Sequence, residues 1–471
     1  MDNLNCKTFI HRFDSDRRLQ TLHKNSDSLT PATLEASDPF NVMKNRIASL
    51  SALVVLVFGQ CFAQQTPPSN VKAFVGATVL ADAGSPAIKN AVMIVRDGRV
   101  VSVGPASTVR PPANAAVINL AGKFVIPGLI STHVHLSDVQ GTRPPAWTDE
   151  NTLRQLGVFA RYGVTTVWSL GGEQEPAFRA RRNQDTASLD RTRIFLAGDV
   201  IVGKTPEEAR GMVARVAAAK PDIIKVRVDD NLGTAVKMPP DVYRAVIDEA
   251  HKLGIRVAAH IFYLEDAKDL LRAGADFIAH SVRDKEIDDE FISLMKRRNI
   301  PYCPTLTREI STFVYESTPP FFSDPFFVRE ADPGVVAQLK EPQRQEAMRK
   351  SASAQRYKAA LEIAKRNLKK AADAGLLIVM GTDSGPFANR FQGYFEHLEM
   401  EMMAESGLTS AQILSSATGD AARAMKVEGV GFLTKGSWAD FVVLEGDPLR
   451  EIRNTRSIVS VWVAGNLVRT K

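Results

Sequence analysis

Short apolar runs recur through the middle of the chain, and consecutive runs are separated by enough residues to form a helix. Amphipathic segments such as 205–219 and 241–253 fill most of these intervals. Alternating strands and helices are typical of β/α units, and eight such units can close into a barrel. The pattern predicts an α/β fold with a (β/α)8 barrel over residues 128–427. Its eight predicted strands are 129–135, 164–170, 193–198, 222–228, 255–260, 276–280, 300–306 and 377–383.

The two segments that flank this region are rich in short β patterns. In residues 71–127, two alternating runs flank Asp97-Gly98, a strong signal for a tight hairpin. Residues 428–471 contain similar runs and an Ala464-Gly465-Asn466 turn. We therefore expect both segments to build one small sheet domain beside the barrel.

The region before residue 70 has the pattern of a targeting signal. An apolar run at 47–58 follows Lys44 and Arg46 and precedes a polar stretch at 64–68. This order is typical of a secretory signal peptide, which we assign to residues 43–63 with cleavage after Ala63. The run is shorter than the roughly 20 residues of a membrane-spanning helix. We expect a secreted or periplasmic protein that meets a membrane only through an uncleaved signal.

Three smaller features complete this region. Residues 1–42 show no clear periodicity and are either an unstructured extension or the result of a start placed ahead of Met43. Residues 64–70 form a linker. Lipid attachment at Cys61 is disfavoured by the bulky Gln60 before it, and cleavage would leave Cys303 as a single buried thiol.

Composition and charge narrow the class of protein. The chain has 44% hydrophobic and 24% charged residues, which excludes disorder as its main state. Its net charge of +6 is too mild over 471 residues to indicate a nucleic-acid partner. Three cysteines cannot form a disulfide framework. We expect a globular protein that acts on a small molecule, and a homo-oligomer stays an open possibility.

Side chains with metal-binding chemistry stand at the ends of several predicted strands. His133 and His135 are two residues apart on the first strand, so their side chains share one face. In barrels of this type the active site lies at the carboxyl ends of the strands. The other candidates are Lys225 within the fourth strand, His260 and His280 at the ends of the fifth and sixth, and Asp383 at the end of the eighth. Together these residues predict a metal site.

Each of these residues also has a simpler explanation. A single His-X-His pair is more often a pair of satisfied core histidines, and Asp383 could be a turn or cap residue. Lys225 could be a buried lysine paired with a carboxylate. We expect His251 to be a surface residue and His397 to be structural. The metal-site hypothesis is favoured because it accounts for the strand-end residues jointly.

Three sequence motifs resemble a known family. They are Val125-Ile-Pro-Gly-Leu-Ile-Ser-Thr-His-Val-His-Leu, Met380-Gly-Thr-Asp-Ser-Gly and Gly436-Ser-Trp-Ala-Asp-Phe-Val-Val-Leu. They are similar to the metal-dependent amidohydrolase superfamily, in particular its imidazolonepropionase-like and Xaa-Pro dipeptidase-like branch. The resemblance runs from about residue 71 to residue 471. It implies a distorted (β/α)8 barrel with a small β-sandwich built by residues 71–127 and 428–471.

The resemblance also implies roles for the candidate residues. By that likeness, one zinc ion would be bound by His133, His135 and Asp383, and a second by His260 and His280. Lys225, carboxylated on its amine, would bridge the two ions. A metal-bridging hydroxide would attack the amide carbonyl, with Asp383 as the catalytic base and acid.

The substrate is less clearly indicated. Tyr263 matches a position where dipeptidase-like relatives place a tyrosine near the substrate, although it could equally pack at the barrel rim. A long connection at 307–354, rich in phenylalanine, could be a lid, a packed loop or a subunit contact. We favour hydrolysis of a dipeptide or N-acyl amino acid. The alternatives are a cyclic-amide hydrolase similar to imidazolonepropionase and a non-catalytic scaffold relative.

Overall fold

The computed structural model describes residues 70–470, which form an α/β fold. The predicted signal peptide and the residues before it lie outside the described range. Within that range, no helix combines the length and apolar character needed to cross a membrane. The strands are β1 (Val71–Val79), β2 (Ile88–Arg96), β3 (Arg99–Pro105), β4 (Ala116–Asn119), β5 (Phe124–Pro127), β6 (Leu129–Val134), β7 (Val164–Ser169), β8 (Arg193–Leu196), β9 (Ile224–Arg227), β10 (Val257–His260), β11 (Phe277–Ala279), β12 (Tyr302–Cys303), β13 (Phe441–Leu444), β14 (Ile458–Val463) and β15 (Asn466–Leu467).

One sheet combines strands from both ends of the described chain. Its order is β15-β14-β13-β5-β1-β2-β3, and β4 pairs with β1. The β2–β3 hairpin turns at Asp97 and Gly98, whose φ angles of 51° and 77° suit a tight hairpin turn. The ring of Phe74 lies 4.8 Å from the ring of Phe441 and 4.8 Å from that of Trp462. This aromatic contact joins the first strand to the last strands.

The central strands are parallel and form two further sheets. One contains β6, β7 and β8, and the other has the order β12-β11-β10-β9. Isolated bridges continue the pairing beyond these sheets. They join Ile201 to Val226, Tyr302 to Ile378, and Val134 to Ser384.

The seventh and eighth predicted strands differ from expectation. β12 has only two residues because prolines at 301 and 304 flank it and have no N–H to donate. The segment 377–383 is not a regular strand. Val379 N–H donates to the Tyr302 carbonyl, but the next N–H, that of Met380, donates to Ser416 outside the sheet. The ladder is therefore interrupted, and only the bridges at Ile378 and Ser384 belong to it.

Helices alternate with the central strands, and α3 and α4 lie where the sequence predicts them. Thr205 caps α3 by accepting a hydrogen bond from the N–H of Glu208, and Pro206 occupies its first position. The helices are α1 (Asp149–Arg161), α2 (Glu175–Arg182), α3 (Pro206–Ala218), α4 (Pro240–Lys252), α5 (Leu264–Ala273), α6 (Asp289–Arg297), α7 (Leu306–Ile310), α8 (Pro325–Val328), α9 (Pro333–Leu339), α10 (Pro342–Arg349), α11 (Ala352–Asp373), α12 (Tyr394–Glu405), α13 (Ser410–Ser416) and α14 (Gly419–Met425).

The connection at 307–354 is built from short helices rather than from irregular loop. Asp324 and Asp332 cap α8 and α9, each helix with a proline in its first turn. These local signals favour short helices even though the segment has no long apolar period. The rings of Phe322 and Phe327 stack at 5.4 Å, and Phe327 also contacts Tyr394 of α12 at 5.0 Å. The phenylalanines therefore pack the segment onto the fold.

Candidate metal centre

Two histidines and an aspartate meet at the end of β6. His133 is completely buried, and His135 follows the last residue of β6 with 8% of its surface exposed. Asp383 Oδ1 lies 3.3 Å from His133 Nε2 and 2.9 Å from His135 Nε2. The three ligand atoms fall within 4.8 Å of one another. This is the geometry of a group that can hold a metal ion.

Lys225 enters the same cluster from β9. Its Nζ lies 3.1 Å from His133 Nε2, and the side chain is buried. Burial lowers the pKa of Lys225 to about 8, although the nearby Asp383 carboxylate opposes this shift. An amine with such a pKa is partly neutral near physiological pH and is therefore a better nucleophile than an ordinary lysine.

The other two histidines lie beside the first pair. The ring centre of His280 is 4.6 Å from that of His133 and 4.1 Å from that of His260. His280 has a φ of 77°, in the left-handed region that few non-glycine residues adopt. The structure thus brings together all six residues that the sequence predicts as metal ligands.

Two observations test whether this cluster fits a cation. His133 Nδ1 and His280 Nε2 are buried without a hydrogen-bond partner in the described part of the chain. His135 Nδ1 lies 2.9 Å from the Gly171 carbonyl, so in a neutral ring this nitrogen carries the proton. The lone pair of His135 Nε2 then faces the carboxylate oxygen of Asp383. Two acceptors facing each other call for a cation between them, and imidazole and carboxylate suit zinc.

Three polar groups each contact one ring nitrogen of a histidine in the cluster. The Gly171 carbonyl faces His135, Asp229 Oδ2 lies 2.8 Å from His260 Nε2, and Thr305 Oγ1 lies 2.7 Å from His280 Nδ1. Such contacts fix which nitrogen of each ring remains for a ligand. Gly171, Asp229 and Thr305 are not among the site residues predicted from the sequence. The position of Asp229 just beyond β9 was the one local signal, since a polar residue at a strand end faces the site.

Burial keeps three of the four imidazoles in the cluster neutral. It lowers the pKa of His133 to about 3, and it lowers the pKa of His260 and of His280 well below the ordinary value. Neutral imidazoles are the form that binds a metal. By contrast, His397 lies outside the cluster, where its nitrogens pair with Thr455 Oγ1 and with the Tyr162 carbonyl.

Arg390, which the sequence did not predict as a site residue, binds the carboxylate of the cluster. Arg390 donates a charge-assisted hydrogen bond to Asp383 Oδ2, and its Nε donates to Ser311 Oγ at 3.0 Å. Burial would raise the pKa of the Asp383 carboxyl, but Arg390 and the two histidines hold it well below its usual range. Because Ser311 belongs to the 307–354 segment, Arg390 connects that segment to the site.

Tyr263 occupies a different position from the ligand cluster. Its hydroxyl donates to Asp230 Oδ1 at 2.9 Å, and its ring packs against Phe262 at 4.8 Å. Burial and the hydrogen bond to Asp230 raise the pKa of Tyr263 to about 12. Among the hydrogen bonds described for residues 70–470, none joins Tyr263 to the six candidate ligands.

Sequence similarity extends over most of the described chain. The amidohydrolase family profile matches residues 124–468. Enamidase from Eubacterium barkeri is 25% identical over 223 residues, which is 44% of this chain and 55% of the enamidase. The match thus spans about half the length of that relative. Imidazolonepropionase from Deinococcus radiodurans is 23% identical over 407 residues, covering 80% of this chain and 92% of that protein.

Structural similarity gives the fold. A solved Xaa-Pro dipeptidase with methionine in its active site superimposes with a TM-score of 0.67 at 21% identity, covering 84% of this chain and 99% of the dipeptidase. This likeness implies a TIM-barrel-like fold. The family is metal-dependent, and its profile match includes every candidate ligand. The chain belongs to the amidohydrolase family of hydrolases.

Proposed function

We propose that this protein is a binuclear zinc amidohydrolase that cleaves an amide C–N bond in a dipeptide or an N-acyl amino acid. The observation that carries the proposal is the buried cluster in which Asp383 Oδ1 lies 3.3 and 2.9 Å from two histidine nitrogens. Lys225 stands 3.1 Å from one of those nitrogens. A lysine, four histidines and an aspartate meet in this buried cluster, and a metal site accounts for all six residues together.

The fold that carries this site is, in our proposal, a distorted (β/α)8 barrel over residues 128–427. Three bridges support closure. The bridge from Ile201 to Val226 links the chain after β8 to β9, and the bridges at Ile378 and Ser384 link β12 to β6 through the segment 378–384. Residues 71–127 and 428–471 would form a β-sandwich beside it, supported by their shared sheet.

The ligand assignment follows the resemblance to the amidohydrolase superfamily, and charge supports the role given to Lys225. One ion would be held by His133, His135 and Asp383, and the other by His260 and His280. Unmodified and protonated, Lys225 would place a cation beside two cations. Carboxylated, Lys225 would be an anionic ligand instead, and the lowered pKa of its buried amine favours the reaction with CO2.

The chain's own residues then have defined tasks. Zinc, when bound in such a site, would lower the pKa of a bound water to near neutral and polarise a carbonyl oxygen. The Asp383 carboxylate takes the proton of the attacking water as the C–O bond forms. It returns that proton to the nitrogen as the C–N bond breaks, so the amine leaves neutral. Arg390 holds the second oxygen of Asp383 and so orients the carboxylate.

The substrate class rests on two supports. The similar Xaa-Pro dipeptidase holds an amino acid in its active site. In the resembled family, the ring-opening relatives usually work with one metal and lack a lysine at the position of Lys225. The alternative is a cyclic-amide hydrolase, which the similarity to imidazolonepropionase supports. Tyr263 is proposed to contact the substrate at the rim of the site.

We also propose that residues 43–63 direct the chain to the periplasm or outside the cell. Expression of the full chain followed by N-terminal sequencing of the exported protein tests this directly. A mature end at Gln64 is expected, and an uncleaved chain retained in the cytoplasm would contradict it.

A substrate screen tests the proposed reaction. The zinc-loaded protein, residues 64–471, would be assayed with dipeptides, N-acyl amino acids and cyclic amides, following amine release or ring opening. Hydrolysis of linear amides above cyclic ones is expected. Exclusive opening of cyclic amides would favour the alternative, and no turnover on any class, with metal bound, would favour the scaffold relative.

A further inference from the structure

Glu173 is a buried carboxylate that takes no part in the proposed reaction. It lies between β7 and α2 and has only 3% of its surface exposed. Its Oε1 accepts hydrogen bonds from the Gly171 N–H at 2.8 Å and from Ser169 Oγ. Its Oε2 accepts from the Gly198 N–H at 2.8 Å. One carboxylate therefore joins the chain after β7 to the chain after β8.

The first of these bonds leads to the metal centre. The Gly171 peptide N–H points to Glu173, and the carbonyl of the same residue faces His135 Nδ1 at 2.9 Å. Gly171 has a φ of 130°, and a Cβ there would approach Val200 Cγ2 to 2.4 Å. This turn therefore favours glycine. Because glycine is conformationally permissive, the direction of the Gly171 carbonyl depends on the hydrogen bonds that hold the turn.

A second route from Glu173 reaches the backbone just after β6. Ser169 donates its hydroxyl proton to Glu173, so its oxygen is oriented to accept from the N–H of Leu136 at 2.9 Å. Leu136 directly follows His135. The peptide after His135 thus donates to Ser169, and the carbonyl that faces the His135 ring belongs to Gly171. Ser169 and Gly171 both donate to Glu173.

We propose that Glu173 is a positioning residue for His135, which fixes the tautomer with the proton on Nδ1 and leaves Nε2 for a divalent cation. The Gly171 carbonyl can only accept, so it selects the ring form whose lone pair faces Asp383 Oδ1. This inference rests on the proposed function, since it assumes that His135 binds a metal ion. Contacts of this kind change metal affinity by about 10- to 100-fold when removed.

The experiment compares two buried carboxylates. Glu173→Gln keeps the shape but turns an amide N–H2 toward backbone N–H groups, so the turn loses an acceptor. Asp440→Asn is the matched control, because Asp440 is 3% exposed and accepts from Arg193 Nε at 2.8 Å and from the Ala464 N–H at 2.6 Å, away from the cluster. A purely structural role for Glu173 predicts the same behaviour for both variants.

The readouts are metal affinity and the ligand field. Metal-free protein (residues 64–471) would be titrated with Co²⁺ and followed by its visible absorption, with thermal unfolding of each metal-free variant recorded in parallel. We expect Glu173→Gln to bind at least one Co²⁺ about 10-fold more weakly with an altered spectrum, and Asp440→Asn to bind like the parent. Equal affinity and an unchanged spectrum in Glu173→Gln would overturn the inference.

A milder variant covers a failure to fold. Ser169→Ala removes the route to Leu136 and leaves the Gly171 bond in place, and we expect a smaller loss of affinity with the same change of spectrum. If Glu173→Gln does not fold and Ser169→Ala binds as the parent does, the inference is wrong. A parent protein that binds no Co²⁺ would instead contradict the proposed function.

Discussion

Lys225 Nζ and His133 Nε2 lie 3.1 Å apart in the interior of the fold. A lysine that is nearly fully buried is unusual, because the charged amine loses its hydration. The pKa of Lys225 is accordingly lowered to about 8. The neighbouring imidazole is neutral, since burial lowers the pKa of His133 to about 3. Lys225 therefore loses its proton at a lower pH than an ordinary lysine does, beside a neutral imidazole.

This relationship predicts how stability depends on pH. Between about pH 8 and pH 10.5, Lys225 is neutral in the folded chain but protonated in the unfolded chain. The unfolded state then binds more protons, so the free energy of unfolding rises with pH. Relative to Lys225→Met, the metal-free parent should gain up to roughly 3 kcal/mol across this window. Denaturant unfolding in CO2-free buffers measures the difference.

The control for this measurement is Lys350→Met, because Lys350 has 76% of its side chain exposed. Its stability should follow the parent at every pH. A Lys225→Met curve parallel to the parent over the same window would show that the amine is charged inside the fold.

Asp383→Asn tests the proton-transfer role. The amide can still offer an oxygen to a metal ion but cannot take up and return a proton. We expect metal content to stay within twofold of the parent and kcat to fall by about 10²- to 10⁴-fold. Asp248→Asn, at an exposed surface carboxylate, serves as the control. Parental kcat in Asp383→Asn would reject the role.

Arg390 should set the acid limb of the activity profile. Its guanidinium lowers the pKa of Asp383, so removing the charge raises that pKa. In Arg390→Met the acid limb of kcat/KM should move to higher pH, whereas Arg390→Lys should move it less. Coincident acid limbs in all three proteins would show that Asp383 does not control the limb.

Asp229 should control affinity through His260. Its Oδ2 lies 2.8 Å from His260 Nε2, which leaves Nδ1 of that ring for a ligand. Asp229→Ala should weaken zinc binding by about 10- to 100-fold, and Asp229→Asn, which keeps an acceptor oxygen, should fall between. Competition with a chromophoric chelator measures both. Equal affinities in Asp229→Ala and the parent would contradict the role.

The sequence was informative where a local pattern determines the outcome. His133 and His135 share a face because strand side chains alternate, and His260 closes a short apolar strand, so their meeting could be predicted. Arg390 and Glu173 could not be predicted in this way. Each acts on a partner from another segment, Ser311 and Gly198 among them, and no local period encodes such contacts.

Two segments of the fold, 377–383 and 307–354, differ from the sequence prediction for a related reason. The segment 377–383 has the composition of a strand, but the N–H of Met380 finds its acceptor at Ser416, more than thirty residues away. In the 307–354 segment, Asp324 and Asp332 are local signals for helix starts, since each is an N-cap residue followed by a proline. Short capped helices without an apolar period are easily taken for a loop.

Metal analysis of the purified protein tests the central claim most directly. The chain from residue 64 to residue 471 would be expressed with zinc and bicarbonate, and its metal content measured by mass spectrometry alongside hydrolysis of a linear amide. The account predicts about two zinc ions per chain, loss of activity on chelation, and recovery with zinc and bicarbonate together. One ion or none in the active protein, or full activity after chelation, would contradict it.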